Sequence, residues 1–281
     1  MLIDIGDTKL NVEQRGDGAL PLIILHGGPG LDHTMFGSWL DPLGDVARLL
    51  LVDERAQGRS EPAPPETWTL AQHARDVEAL AAALGLERYA VLGHSYGAFI
   101  ALQHAVDFTG RPAATILSAC VPAARYLEAV DRNLATFEPE ELREQVTSSW
   151  QREATVRTQE QCRELWFEQT PFHFRDPRDP RIGQLREAMA DAVYAPDVVR
   201  AGAQGDYGHI ELEERLGEVS HPVLVIAGRY DRTCTVEANA AIADGIADAE
   251  LVVLEESAHM TYVEEPERYL AAVRGFLARL G

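Results

Sequence analysis

The segment 93–97, with the sequence GHSYG, joins a short apolar run at 89–92 to an apolar helical pattern at 98–106. In this strand, turn and helix context the motif G-x-S-x-G places a serine on a sharp turn. A side chain at position 93 or 97 would collide with the neighbouring strand or helix. The pattern therefore predicts that the Ser95 hydroxyl stands above the carboxyl edge of a sheet, at a helix N-terminus that favours negative charge.

Apolar runs that end at glycines or polar loops recur along the chain, and residues 2–15 alternate as in an early strand pair. Such runs are typical of strands buried on both faces of a parallel sheet. Helical patterns follow or separate them, as at 69–86 and 266–280. The alternation predicts an α/β fold with a mostly parallel, doubly wound sheet. The apolar runs lie at 21–28, 47–52, 89–92, 114–120, 221–231 and 249–259.

The alternation of strands and helices stops after the sixth predicted strand. Residues 122–217 have a helical, polar pattern that is rich in Arg and Glu. Strand patterns then resume at about residue 221. We therefore expect a core made of residues 1–121 and 218–281, with a helical cap of residues 122–217 inserted into it.

Two polar residues follow late predicted strands and are candidates for the partners of Ser95. A serine hydroxyl needs a base to take its proton, and in folds with this turn the chain order is Ser, acid, His. Asp231 closes one strand and His259 follows the next, so both should lie at the sheet edge that carries Ser95. Asp244 and Asp248 are weaker alternatives for the acid, because they lie in or just after a helical pattern. Among the other histidines, His94, His104 and His221 fit the role of the base less well.

The sequence HGGPG at 26–30 follows another predicted strand. Its glycines allow the backbone to approach a substrate carbonyl closely, so that N–H groups can bind an oxyanion. We assign this role to the amides of Gly28 and Tyr96. His26 is interpreted as structural, holding the loop by hydrogen bonds.

Composition excludes several classes of function. The formal charge of −20 disfavours nucleic acid and anionic membrane surfaces as partners. The three cysteines form no CxxC pair and there is no HExxH motif, so we expect neither a metal nor a cofactor.

No signal peptide or apolar run of membrane-spanning length is visible, which predicts a cytoplasmic protein. We expect it to act on a small molecule or short peptide. The oligomeric state is not predicted.

Together these motifs resemble those of a known group. HGGPG, the D-x-x-x-x-G-R-S loop at 53–60, GHSYG, the GRYDxxC segment at 228–234 and the late His259 resemble the proline iminopeptidases and tricorn-interacting aminopeptidases. That group belongs to the α/β-hydrolase superfamily. The resemblance implies the α/β-hydrolase fold, release of an N-terminal residue, often proline, and no metal or cofactor.

The resemblance also implies that acidic residues of the cap bind the free amine of the substrate. The segment 194–207 resembles a stretch that in relatives ends in Glu and an aromatic residue, whereas this chain has Asp206 and Tyr207. Glu168 is a second candidate for the amine site.

Three functions remain open at this point. The first is a serine aminopeptidase that acts through an acyl-enzyme. The second is an esterase, lactonase or small-amide hydrolase that uses the same triad. The third, more remote, is a non-catalytic protein of this fold that binds a small ligand.

Overall fold

The computed structural model describes residues 1–204 and 210–280. At its centre lies an eight-stranded sheet with the order β1-β2-β4-β3-β5-β6-β7-β8. The pairs β1–β2 and β2–β4 are antiparallel and all other pairs are parallel, so the predicted sheet is confirmed. The strands are β1 Leu2–Asp4, β2 Lys9–Arg15, β3 Leu20–Leu25, β4 Ala47–Val52, β5 Ala90–His94, β6 Ala114–Ser118, β7 Val223–Gly228 and β8 Ala249–Leu254.

Helices cover both faces of this sheet. No helix of the described residues is long and apolar enough to span a bilayer. The α-helices are α1 Leu70–Ala83, α2 Tyr96–Asp107, α3 Ala129–Ala135, α4 Glu140–Glu153, α5 Gln159–Gln169, α6 Arg181–Ala188, α7 Pro196–Gln204, α8 Val236–Gly245, α9 Thr261–Glu264 and α10 Pro266–Ala278.

The apolar runs are explained by burial on both sides of the sheet. In β3, Ile23 and Leu25 pack into a cluster with helices α1 and α2, whereas Leu22 and Ile24 pack into a second cluster with α10. All four side chains are almost fully buried. A strand covered on both faces needs an apolar residue at every position, which is why these runs do not alternate.

The strand order brings together the loops that the sequence singled out. Strand β3 lies between β4 and β5, so the chain leaves β3 first to one side and then to the other. In α/β sheets a crevice forms at the carboxyl ends of the strands where the order reverses in this way. The loop at 26–30 and the turn at Ser95 follow β3 and β5, and therefore meet at this crevice.

The helices α3 to α7 lie between β6 and β7, where the helical insertion was predicted. Hydrogen bonds tie its segment 191–195 to the loops of the core. The Asp32 carboxylate accepts from the Val193 amide at 2.8 Å, and the Ala195 amide donates to the Gly30 carbonyl at 2.9 Å. The cap is therefore anchored beside the loop that carries Gly28.

One carboxyl group on the inner side of the cap has a single hydrogen-bond partner in the described part of the chain. Glu153, at the end of α4, accepts from Nε2 of Gln169 at 2.7 Å. Burial raises the pKa of Glu153 to about 7, because the charged form is poorly solvated there. The folded protein therefore binds a proton at this site more tightly than the unfolded chain does.

We expect Glu153→Gln to flatten the decrease in stability with rising pH. When the pKa of a carboxyl is higher in the folded protein than in the unfolded chain, its burial does not reduce the free energy of unfolding below the unfolded pKa of 4.5. The reduction grows as pH rises above that value and is complete once pH has passed the folded pKa of about 7. Relative to the variant, the wild type should lose about 2 kcal/mol of unfolding free energy between pH 5 and pH 8. Urea unfolding across this pH range would measure the difference.

The matched control is Glu144→Gln, because Glu144 is exposed on the same helix. Its unfolding free energy should run parallel to that of the wild type at every pH. A Glu153→Gln curve that also ran parallel to the wild type would contradict the burial argument.

Candidate active site

Ser95 occupies the turn between β5 and α2 in a backbone conformation that is rare for a residue with a side chain. Its φ is 55° and its ψ is −120°. Such conformations cost about 1–3 kcal/mol and persist where the surrounding structure imposes them. The Ser95 side chain is partly exposed, whereas His94 and Tyr96 on either side are buried. The turn therefore presents the serine at the carboxyl edge of the sheet.

The two glycines of the turn allow the helix to lie against the sheet. A Cβ atom at Gly93 would come closer than 3.0 Å to the carbonyl group of Gly97. A Cβ atom at Gly97 would come as close to the carbonyl oxygens of Leu25 and His26. The predicted collisions are confirmed, and they involve rigid backbone that cannot move aside.

Asp231 and His259 form a buried pair. Nδ1 of His259 lies 2.8 Å from Oδ2 of Asp231. Both residues follow strand ends, β7 for Asp231 and β8 for His259, at the edge that carries Ser95. The alternative acid Asp244 lies in α8 and Asp248 follows that helix, as the sequence pattern indicated.

The second oxygen of the Asp231 carboxylate is held by its own loop. Oδ1 accepts hydrogen bonds from the amide of Thr233 at 2.8 Å, from the Thr233 hydroxyl at 2.8 Å and from the Cys234 amide at 3.0 Å. Burial alone would raise the pKa of Asp231, but the charge of His259 and the hydrogen bonds from His259 and Thr233 keep it below its usual value. An ionised Asp231 requires a proton on Nδ1 of His259 and leaves Nε2 free to act as a base.

His259 lies beside the turn that carries Ser95. Its ring centroid is 5.1 Å from that of His94, the residue that precedes the serine. Burial, together with the charge of His259, lowers the pKa of His94 well below its usual value, so His94 stays neutral. Within the described residues, Nε2 of His259 makes no hydrogen bond. An unbonded Nε2 beside the turn of Ser95 is what the predicted triad requires of its base.

The loop at 26–30 lies against the same serine. A Cβ atom at Gly27 would be 3.3 Å from Cβ of Ser95, so the backbone of this loop and the Ser95 side chain are in near contact. Gly28 has a φ of 136°, which side chains rarely allow. In residues 1–204 and 210–280, neither the Gly28 amide nor the Tyr96 amide donates a hydrogen bond. Both amides are thus available for an oxyanion, the role predicted for them.

One neighbour of the pair was missed by the sequence reasoning. His173, in the turn Thr170–His173 of the cap, has its ring centroid 4.9 Å from that of His259. Its ring also stacks on Trp166 at 5.8 Å. No sequence signal identified it, because a histidine in a loop far from both strands carries no spacing that links it to the site.

The structure does not bring Glu168 together with the triad. Glu168 forms an ion pair with Arg152 and lines an open cavity of about 620 Å³ on the cap. None of the triad residues lines that cavity, which contains four glutamates and two arginines. Trp166 faces His173, and a residue two positions further along α5 points to a different side of the helix. The other candidate for the amine site, Asp206, lies outside the described residues.

With this geometry, the chain can be compared with known proteins. A family model described as the alpha/beta hydrolase fold matches residues 21–266, which is well over half of the chain. The chain belongs to the α/β-hydrolase fold family. The fold predicted from the motifs is therefore confirmed.

Within this fold family, several relatives that match over most of their length are named proline iminopeptidases. One from Heyndrickxia coagulans is 25% identical over 98% of this chain and 97% of its own. One from Levilactobacillus brevis is 27% identical over 92% of this chain and 88% of its own. The crystal structure of the proline iminopeptidase of Mycobacterium smegmatis superimposes with a TM-score of 0.77, at 25% identity, and covers 100% of this chain and 98% of that one. The predicted similarity to the proline iminopeptidase group is confirmed, and it supports a hydrolase.

Among the described residues, one group of three side chains could bind a metal ion, and it includes two residues of the candidate site. Ligand atoms of Asp231, Cys234 and His259 lie within 4.8 Å of one another. Burial raises the pKa of the Cys234 thiol well above its usual value, and metals bind the thiolate. Metal binding here would require loss of the thiol proton, whereas the contact of Asp231 with His259 suits the predicted triad as it stands.

We expect Gly93→Ala to destabilise the hydrolase fold by several kcal/mol or to prevent folding, because the added methyl group collides with backbone. Urea unfolding would measure the loss. The control is Gly275→Ala in α10, where a Cβ atom meets nothing within 4 Å. Alanine there should be neutral or stabilise the helix by up to about 1 kcal/mol. Equal midpoints for Gly93→Ala and the wild type would refute the close approach.

Proposed function

We propose that the protein is a serine hydrolase with the triad Ser95, His259 and Asp231, and that it releases N-terminal residues from short peptides. The observation that carries the proposal is the buried contact of 2.8 Å between His259 and Asp231, at the sheet edge where the strained turn presents Ser95.

In the first half of the reaction, the Ser95 oxygen attacks the substrate carbonyl while Nε2 of His259 takes the hydroxyl proton. Asp231 fixes the imidazole in the required tautomer and stabilises the imidazolium that forms. The amides of Gly28 and Tyr96 donate to the oxyanion. His259 then gives its proton to the leaving nitrogen, the C–N bond breaks, and an acyl-enzyme remains on Ser95.

In the second half, water replaces the serine as nucleophile. His259 takes a proton from the water as its oxygen attacks the acyl carbon. The tetrahedral intermediate collapses, the Ser95 oxygen leaves, and His259 returns the proton to it. The products are a free amino acid and a peptide shorter by one residue.

Aminopeptidase activity is supported by the motifs and by relatives that are named proline iminopeptidases. Such a substrate brings a positively charged amine into the site, and burying that charge without a partner is unfavourable. At least one cap carboxylate should therefore face the substrate. Asp206 stays our first candidate for this role, and Glu168, which pairs with Arg152 in a cavity that the triad residues do not line, is the second.

A specific observation favours the alternative of an esterase, lactonase or small-amide hydrolase. Glu168 is already paired with Arg152, and the cavity that it lines does not include the triad. Without a free carboxylate at the amine site, the same triad would act on neutral acyl substrates. The alternative shares every catalytic residue with the leading proposal and differs only in the cap.

For the triad, we expect Ser95→Ala to lower kcat by at least about a thousandfold without unfolding the protein, since the three residues act as a unit. His259→Ala should lose nearly as much. A fluorophosphonate probe should label the wild type and leave Ser95→Ala unlabelled.

Ser220→Ala provides the control, because Ser220 lies before β7 at the far edge of the sheet and contacts Thr109. It should keep the wild-type rate and labelling. If Ser95→Ala retained more than about a tenth of the activity, the nucleophile would be wrong. If the wild type neither reacted with the probe nor cleaved any substrate, the non-catalytic alternative would replace both enzymes.

For the substrate class, we expect prolyl-2-naphthylamide to be cleaved and its N-acetylated form to resist. Neutralising the amine-binding carboxylate, by Asp206→Asn or Glu168→Gln, should lower kcat/KM for the naphthylamide at least about tenfold. A neutral p-nitrophenyl ester makes no demand on the amine site, so its kcat/KM should stay within about twofold.

Glu187→Gln is the matched control for Glu168, since Glu187 lines the same cavity. It should leave both substrates unaffected. If neither Asp206→Asn nor Glu168→Gln changed naphthylamide turnover, both amine-site assignments would fail. Equal cleavage of free and N-acetylated substrates would favour the esterase or amidase alternative.

A further inference from the structure

The cap residue His173 lies against the proposed base. The ring centroids of His173 and His259 are 4.9 Å apart and the rings are inclined by 38°. His173 is only 8% exposed, so solvent does not fill the space around it. No role has been given to it so far, although it comes closer to His259 than the ring of His94 does.

The backbone of this segment is fastened to both loops of the pair. The carbonyl of His173 accepts the amide of His259 at 3.0 Å. Arg232, which follows Asp231 in sequence, donates from Nη1 to the carbonyls of Phe172 at 3.0 Å and Phe174 at 2.7 Å. The position of His173 is therefore set by the same loops that carry the acid and the base.

The ring of His173 is also supported from behind. Trp166 of α5 stacks on it with a centroid distance of 5.8 Å and an angle of 27°. The indole N–H of Trp166 is directed to Sδ of Met189 at 3.2 Å, which fixes the indole in turn. The rings of Trp166, His173 and His259 thus follow one another from the cap to the core, the first pair stacked and the second tilted.

Electrostatics make His173 a neutral neighbour. Burial lowers the pKa of His173 to about 3, and the charges of His259 and Arg232 act in the same direction while Asp231 opposes them. His94, on another side of His259, is neutral as well. When His259 takes a proton, it becomes a cation between two uncharged rings, and neither ring repels it.

We propose that His173 is a positioning residue, which holds the imidazole of His259 in line with Asp231 and gives the transient imidazolium an uncharged aromatic support. The inference rests on the proposed function, because it takes His259 as the base. It acts on the chemical step and not on substrate affinity. Loss of the ring should therefore lower kcat and leave KM nearly unchanged.

The experiment compares His173→Ala, His173→Phe and His173→Lys in the full chain, with p-nitrophenyl acetate and prolyl-2-naphthylamide as substrates. Removing the ring should lower kcat about ten- to hundredfold, since small displacements of a catalytic group have effects of this size. Phenylalanine keeps a flat neutral ring and should restore kcat to within about threefold. Lysine places a charge beside the imidazolium and should lose at least as much activity as alanine.

A second readout follows the proton between His259 and Asp231 by its far-downfield ¹H NMR resonance. His173→Ala should broaden this resonance and His173→Phe should retain it. The matched control is His221→Ala. His221 is another buried histidine; it lies just before β7, and its Nε2 contacts the hydroxyl of Thr115 in β6. The variant should leave both kcat and the resonance as in the wild type.

Each outcome is decisive for one of the two proposals. A kcat within twofold of the wild type for His173→Ala, an equal loss for phenylalanine and alanine, or a loss that appears in KM would overturn the inference. If His173→Ala did not fold, His173→Phe and His173→Lys would be compared instead. A kcat near that of the wild type for phenylalanine and a much lower kcat for lysine would support the inference, and equal kcat values for the two variants would overturn it. Ser95→Ala in parallel tests the proposed function separately. Its inactivity beside an unimpaired His173→Ala would reject only the role of His173.

Discussion

The close approach of helix α2 to strand β5 is the constraint on which the rest of the site depends. Because Gly93 and Gly97 have no side chains, the helix can begin immediately after the strand and lie against the carbonyl groups that end β3. The cost is a strained Ser95, whose φ of 55° is unfavourable for a residue with a Cβ atom. Packing on both sides of the sheet outweighs that local cost. The turn therefore sets where Ser95 lies relative to the loop that contains Gly27.

A buried charge pair supports the loop opposite that turn. His26 and Glu54 are both almost inaccessible to solvent and lie 2.9 Å apart, and Nδ1 of His26 contacts the carbonyl of Gly27 at 2.7 Å. Burial alone would lower the pKa of His26, but the charge of Glu54 raises it to about 9. An N–H at Nδ1 of His26 can donate to the Gly27 carbonyl, which holds the backbone that leads to Gly28. The structural interpretation of His26 agrees with these contacts, although burial raises the pKa of Glu54.

The sequence predicted those parts of the molecule whose position follows from a strand end. Ser95, Asp231 and His259 each follow an apolar run, and parallel strands bring such residues to one edge whatever the details of packing. The cap offers no comparable rule, because its helices can face the core in many ways. One signal was present in α5, where Cys162, Leu165, Trp166 and Gln169 form a stripe at helical spacing. That stripe faces inwards, and it places Glu168 on another side of the helix.

The contacts between cap and core change how the cap should be understood. Segment 191–195 is bonded to the loop around Gly30, and segment 172–175 is bonded to Arg232 and to the backbone of His259. These bonds reach both the loop at 26–30, whose Gly28 amide is the proposed oxyanion donor, and the loops that carry Asp231 and His259. A cap held in this way does more than cover the crevice, because a displacement of either segment is transmitted to groups that take part in the proposed reaction. Changes in the cap can therefore alter the rate of the chemical step as well as the choice of substrate, even at residues that the substrate never contacts.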